Sequence, residues 1–132
     1  MKKIFLTLLV LVITFLSACS SNTWVLEKDR LNEVGDVASY VGELQTNQTD
    51  FRGYRIFTIS EGKKMVVVSS GTSNKTIEFT GADVTKNNTS ISVVEVNKES
   101  DEENSYILIG LDKIEGELTV VTENGEEFMA FE

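Results

Sequence analysis

The sequence contains no histidine and no proline, and Cys19 is its only cysteine. Without histidine, the chain lacks the commonest general base and the commonest metal ligand in proteins. With no second thiol it can form no internal disulfide, and Cys–His catalysis and zinc sites of the usual type are excluded. We therefore predict a protein that is not an enzyme, carries no cofactor and is stabilised by packing alone.

Positive charge is also scarce, since the chain has 12 lysines and arginines against 21 aspartates and glutamates, a net charge of −9. A nucleic-acid-binding protein needs a basic face that displaces counterions from phosphates. Attraction to anionic lipid needs basic clusters as well. The composition argues against a nucleic-acid partner and against a domain that lies flat on a membrane, and it suits a soluble surface domain.

The first 18 residues have the layout of a secretory signal. Lys2 and Lys3 form a basic start, and residues 4–16 are apolar except for two threonines. As a helix this run would be roughly 20 Å long, too short for a hydrocarbon core of about 30 Å. The small residues Ser17 and Ala18 follow, as at a cleavage site. An ordinary signal peptide with a chance cysteine and an uncleaved anchor are the alternatives.

The segment Leu16-Ser17-Ala18-Cys19 resembles the lipobox of bacterial lipoprotein precursors. In that family, diacylglycerol alkylates the cysteine thiol and the chain is then cut before the cysteine. The resemblance implies cleavage between Ala18 and Cys19. It also implies that an acylated Cys19 anchors the protein in the lipid bilayer, on the extracytoplasmic side of the cell membrane. Several acyl chains on one residue hold firmly, because each buried methylene contributes about 0.8 kcal/mol.

The chain is therefore expected to consist of a removed signal peptide (1–18), a lipidated tether (19–23) and one domain (24–132). In this domain, apolar residues at steps of three and four predict one helix from Asp29 to Leu44. Six β-rich runs separated by turn signals follow, at residues 53–60, 64–70, 75–85, 89–97, 105–114 and 117–131. The predicted fold class is mainly β: an antiparallel β-sandwich or small barrel of six to seven strands with one N-terminal helix.

Two details of strand pairing are predicted as well. All pairs should be antiparallel, because no link between strands is long enough for a helical crossover. Residues 117–131 should form a hairpin around a type I′ turn at Asn124-Gly125, where both central residues need a positive φ. This pairing would place Val121 opposite Phe128.

The mature part is similar to small, non-catalytic, all-β domains of bacterial secreted proteins related to protease-complex subunits. The similarity rests on the order of the segments "KKMVVVSSG", "TIEF", "TSISVVEV" and "SYILIGL". Those domains usually carry Thr-Gly-Gly-Tyr after the first of these strands, whereas this chain has Gly71-Thr72-Ser73-Asn74. The resemblance therefore implies an all-β fold and assigns no functional residue.

Two sets of side chains are candidates for a binding site. The aromatic residues Tyr54, Phe57, Phe79 and Tyr106 could line a groove for a peptide or ligand, although aromatics in strands more often fill a core. The segment 97–105 carries four carboxylates and could hold calcium, but it lacks the alternating spacing and the glycine of an EF-hand loop. A solvated loop is the simpler interpretation, and we predict no metal site.

These features predict a lipid-anchored lipoprotein of the cell envelope. It would act as a non-enzymatic binding or accessory module for another envelope or secreted protein, through an exposed strand edge. The alternative is a receptor at the cell surface for a small ligand or metal ion.

Overall fold

Residues 23–131 are described by a computed structural model. The lipobox, Cys19 and the tether up to residue 22 lie outside this range, so signal cleavage and acylation stay predictions. The described range contains a 3₁₀ helix (Lys28–Glu33), the α-helix α1 (Gly35–Leu44) and a second, short 3₁₀ segment (Ser60–Gly62). Its strands are β1 (Thr23–Val25), β2 (Arg52–Thr58), β3 (Lys64–Ser70), β4 (Thr76–Val84), β5 (Asn88–Val96), β6 (Tyr106–Leu111), β7 (Glu117–Thr122) and β8 (Met129–Ala130).

The strands form two sheets that face each other. The first sheet has the order β1-β6-β3-β2-β8 and the second has the order β4-β5-β7. Helix α1 lies on the outer face of the first sheet, so the molecule has three layers. The predicted fold class, a mainly β sandwich with one N-terminal helix, is confirmed, and the sheets do not close into a barrel. The described range has eight strands where six to seven are predicted, and two of the eight, β1 and β8, have only three and two residues.

Both faces of the first sheet are buried, one by the second sheet and the other by α1. Successive side chains of a strand point to opposite faces, so β2, β3 and β6 contribute to both cores. One face and the second sheet form the inter-sheet core, with Val66, Val68, Ile91, Val93, Ile107, Ile109, Leu111 and Val120. The other face and α1 form the helix-side core, with Val37, Val41, Leu44, Met65, Val67 and Leu108. This double burial explains why β3 and β6 read as continuous apolar runs rather than as alternating ones.

The N-terminal helical region is divided where the sequence predicts one helix. The 3₁₀ helix ends at Glu33 and α1 begins at Gly35, because Val34 between them has φ −128° and ψ 83°. A β-branched residue followed by glycine is a weak site for helix propagation. The predicted apolar face is nonetheless used, since Val37, Val41 and Leu44 are buried. Neither type of helix within residues 23–131 has the length and apolarity needed to cross a bilayer.

The prediction that all strand pairs are antiparallel is wrong for two pairs. Strands β5 and β7 are parallel, and β8 is parallel to β2. The prediction assumed that a parallel crossover needs a helix. Here the connection from β5 to β7 passes through β6 of the opposite sheet, so a strand takes the place of the helix.

The predicted C-terminal hairpin is also different. Asn124 does not have a positive φ, whereas Gly125 has φ 85°, so the turn is not type I′. The Gly125 N–H donates to the Thr122 carbonyl at 3.0 Å, and the Thr122 N–H donates to the Glu126 carbonyl at 2.9 Å. Only one bridge continues the pairing, between Val121 and Glu127 rather than Phe128. The chain then leaves β7 and adds β8 to the first sheet.

Candidate functional site

The predicted aromatic residues do not form one surface. Tyr54 lies in the inter-sheet core, where its hydroxyl donates to the Leu118 carbonyl at 3.2 Å, and Phe79 packs against the same core. Phe57 and Tyr106 belong to the helix-side core. Tyr54 and Phe57 are three residues apart on one strand, an odd separation that places them on opposite faces. These residues therefore serve mainly as core, and a groove lined by all of them is excluded.

The acidic segment 97–105 forms the loop between β5 and β6, and its last residues are fixed in place. Asn104 is fully buried. Its side-chain amide donates to the carbonyls of Gln48 and Phe51 at 2.8 and 2.9 Å, and its side-chain oxygen accepts from the Gly71 N–H at 2.8 Å. Glu102 forms an ion pair with Lys28. Within residues 23–131, no three carboxylates are gathered in a geometry suited to a metal ion.

The outer edge of β2 is largely open. Strand β2 has seven residues, but β8 has only two and pairs with Gly53 and Tyr54. The Tyr54 carbonyl accepts the Phe131 N–H at 2.8 Å, so the peptide groups of alternate residues from Tyr54 onward point to this outer side. Ile56 and Thr58 therefore direct their backbone donors and acceptors away from β3, and no strand among residues 23–131 pairs with them there.

A groove runs beside this open edge, between α1 and β2. We define the α1–β2 groove by the helix residues Asp36, Ser39, Tyr40 and Glu43 and the strand residues Arg55 and Phe57, which enclose about 300 Å³. A second, smaller depression of about 150 Å³ adjoins it at Asp36 and Phe57 and reaches Ser60. The groove thus follows the half of β2 that β8 leaves uncovered.

Arg55 is an exposed arginine on the strand side of the groove. Its guanidinium carbon lies 5.3, 5.0 and 5.1 Å from the ring centroids of Tyr40, Phe57 and Phe131. The aromatic faces attract the positive charge, but among residues 23–131 the guanidinium N–H donors of Arg55 have no hydrogen-bond acceptor. Among residues 23–131 no carboxylate forms an ion pair with Arg55. The guanidinium is therefore positioned by rings and available to a carboxylate from outside.

Tyr40 supplies the floor of the groove on the helix side. Its side chain is only 3% exposed, and its hydroxyl has no hydrogen-bond partner within the described part of the chain. Burial raises the pKa of Tyr40 to about 12, with a smaller opposing effect of Arg55 and a raising effect of Glu43. The hydroxyl is thus protonated at neutral pH and is a buried donor whose hydrogen bond is unused within the described range.

The sequence did contain a signal for this site. Arg55 interrupts a β-rich run, and it lies two residues from Phe57, which places both side chains on the same face of the strand. Because Phe57 packs against the helix-side core, the charged Arg55 on the same face indicates that this core ends near position 55. The participation of Tyr40 and Phe131 could not be predicted, because it depends on how α1 and the C-terminal segment meet β2.

The described part of the chain is thus a helix-backed β-sandwich in which β8 covers only part of the β2 edge. Over 125 residues it is 45% identical to the uncharacterized protein YycS of Bacillus subtilis (strain 168), with 91% of this chain and 90% of that protein covered. The chain belongs to the same family as YycS. No family model and no solved structure matches it.

Proposed function

We propose that this protein is a non-enzymatic lipoprotein of the cell envelope that binds an extended segment of another envelope protein. It is held on the extracytoplasmic side of the membrane by acylated Cys19. The lipobox supports the anchor, and the open edge of β2 supports the binding mode. Strand addition takes its affinity from backbone hydrogen bonds and its specificity from alternate side chains, which suits an edge that is flanked by a groove.

The partner segment would extend the first sheet beside Ile56 and Thr58. Its alternate side chains would lie over the α1–β2 groove, where an acidic side chain can pair with the N–H donors of Arg55. Arginine binds a carboxylate through two parallel hydrogen bonds. This contact therefore selects an aspartate or glutamate side chain by its shape as well as by its negative charge. The proposed partner is therefore a protein with an extended, partly apolar segment that carries a carboxylate.

The observation that carries the proposal is the exposure of Ile56 on the part of the β2 edge that β8 leaves open. Its side chain is 41% exposed, and its backbone groups point outward. Exposed apolar edge strands favour unwanted association, and natural proteins usually shorten, charge or cover them. Retention of such an edge next to a groove with an unpaired arginine is consistent with a partner that covers it.

The anchor is tested by Cys19→Ser, since oxygen cannot replace the thiol in the lipid transfer. Cells that express the wild type and the variant are labelled with a radioactive fatty acid and then fractionated. We expect label on the wild type alone, and loss of the variant from the membrane fraction. Equal fractionation and processing of the two proteins would contradict the anchor.

The binding edge is tested with Ile56→Pro. The Ile56 N–H points away from β3, so proline removes an outward donor and preserves the ladder between β2 and β3. Val25→Pro is the matched control, at the opposite edge of the same sheet. The Leu26 N–H donates to the Leu108 carbonyl of β6, and therefore the Val25 N–H, one residue earlier, points away from β6. Both variants should keep the circular dichroism spectrum of the wild type.

A displayed library of short unstructured peptides is selected on the acylated wild type in detergent. We expect enriched peptides with alternating apolar residues and at least one carboxylate. Their affinity should fall about tenfold or more in Ile56→Pro and in Arg55→Gln, and should be unchanged in Val25→Pro. Peptides that bind Ile56→Pro as tightly as the wild type, or the absence of any enrichment, would contradict strand addition at β2.

A further inference from the structure

The two ends of the sandwich differ in the loops that they carry. The proximal end is the end at which Thr23 begins the described chain. Thr23 pairs with Leu111, Leu111 pairs with Lys64, and Lys64 pairs with Thr58, so the ends of β6 and β2 and the start of β3 lie together there. The loops of the proximal end are 59–63, 85–87 and 112–116, and those of the opposite, distal end are 45–51, 71–75, 97–105 and 123–127.

The charge of the two ends is very different. The proximal loops hold three lysines and three carboxylates, which gives a net charge of zero: Lys63, Lys86, Lys113, Glu61, Asp112 and Glu115. The start of α1 also lies at this end, beside Thr58 and Ser60, and it adds Asp36 and Glu33, of which Glu33 pairs with Arg30. The distal loops hold two lysines and eight carboxylates, which gives a net charge of −6. The distal loops thus account for −6 of the net charge of −9, at the end that lies farthest from Thr23.

The chain between Cys19 and Thr23 is short. Four residues in fully extended conformation span at most about 14 Å. Strand β5 has nine residues and is therefore roughly 30 Å long. A tether of this length holds the proximal end near any lipid attached to Cys19, and it cannot bring the distal loops to the same surface unless the domain lies on its side.

We infer that the proximal end, with loops 59–63, 85–87 and 112–116, faces the lipid headgroups, and that the acidic distal end points away from the bilayer. The inference rests on the proposed acylation of Cys19. Bilayers that contain anionic lipid repel the distal carboxylates within a Debye length of about 8 Å and leave the neutral proximal loops in place.

Thr58 lies at the proximal end, so the open edge of β2 is in the half of the domain nearer the membrane. The segment that it binds would accordingly lie close to the membrane surface.

Single cysteines test this orientation. Cys19 is the only native cysteine, so after acylation an introduced cysteine is the only free thiol. Lys86→Cys places a label at the proximal end and Asn124→Cys places one at the distal end, and both residues are exposed. The acylated variants, each carrying a fluorophore, are reconstituted in phosphatidylglycerol-containing vesicles that include a nickel-chelating lipid, which quenches over short distances.

We expect quenching at position 86 to exceed quenching at position 124 by about threefold or more. A dissolved nickel chelate should quench the two labels equally, because both sites are open to solvent. Equal or reversed quenching by the nickel lipid, in protein that carries acyl chains and floats with the vesicles, would overturn the orientation alone. Protein that lacks acyl chains by mass spectrometry and does not float would overturn the proposed anchor together with the orientation.

Discussion

The indole ring of Trp24 lies directly on the backbone of Gly110, its partner across β1 and β6. A β-carbon at position 110 would overlap the ring. The amino group of Lys63 lies 5.6 Å from the centroid of the same ring. This contact holds the first described strand against the edge of the first sheet, at the start of the folded domain.

Gly110→Ala should therefore destabilise the protein by about 1–3 kcal/mol, because the indole has to move out of a close-packed position. Urea denaturation followed by the fluorescence of Trp24, the only tryptophan, measures the change. Gly42→Ala is the control: a β-carbon there meets nothing within 4 Å, and alanine in a helix should stabilise by about 0.5–1 kcal/mol. Equal effects of the two substitutions on the free energy of unfolding would show that the packing of Trp24 does not require a glycine at position 110.

Asn104 is the second structural residue that a substitution can test. Asn104→Ala removes the acceptor of the Gly71 N–H and the donor to the Gln48 carbonyl, whereas the Phe51 carbonyl keeps the Ser69 hydroxyl, and the substitution should cost about 2–4 kcal/mol in the free energy of unfolding. Asn74→Ala, at an exposed asparagine, should stay within about 0.5 kcal/mol of the wild type. A loss below about 1 kcal/mol in Asn104→Ala would mean that the 97–105 loop is held by other contacts.

The ion pair between Arg52 and Glu95 links the two sheets. Arg52 Nη1 lies 2.5 Å from Glu95 Oε2, and the Glu95 side chain is only 10% exposed. A double-mutant cycle with Arg52→Met and Glu95→Gln should give a coupling of about 1 kcal/mol that weakens little in salt. The exposed pair Arg30–Glu33 should give about 0.3 kcal/mol and lose it in salt. Identical coupling energies would indicate that burial of Glu95 has no effect on its ion pair.

The raised pKa values of the tyrosines predict how the stability of the fold changes at alkaline pH. Burial raises the pKa of all three tyrosines of the chain, Tyr40 (to about 12), Tyr54 and Tyr106. A raised pKa contributes stability that is complete below about pH 10, the ordinary tyrosine value, and is lost as the pH rises through the native-state values. Tyrosinate absorbance and circular dichroism should therefore change together above about pH 10.

A matched variant isolates the contribution of Tyr40. Tyr40→Phe removes a hydroxyl that has no partner among residues 23–131, so neutral-pH stability should stay within about 1 kcal/mol of the wild type. Its alkaline unfolding should begin at higher pH. A tyrosine that ionises near pH 10 while the circular dichroism spectrum is unchanged would disagree with this account.

Much of the fold was predictable because its signals are local. The β-rich runs, the turn residues and the apolar face of Val37, Val41 and Leu44 each follow from neighbours in sequence. The parallel pairs of β5 with β7 and of β2 with β8 were not predictable in this way, since they depend on which sheet each strand joins after its loop. Arg55 could have been singled out from its place in β2, whereas its aromatic surroundings come from three distant segments.

The pairing of β1 with β6 also has a consequence for the order in which the chain matures. Thr23 cannot find Leu111 until nearly the whole polypeptide has been made, and such non-local pairs form slowly. A truncated chain that ends before Tyr106 should accordingly show Trp24 fluorescence typical of a solvated indole. The segment that begins at Thr23 would thus remain unpaired until late in synthesis, and the enzymes of the proposed lipid attachment and leader cleavage would act before β1 has joined the sheet.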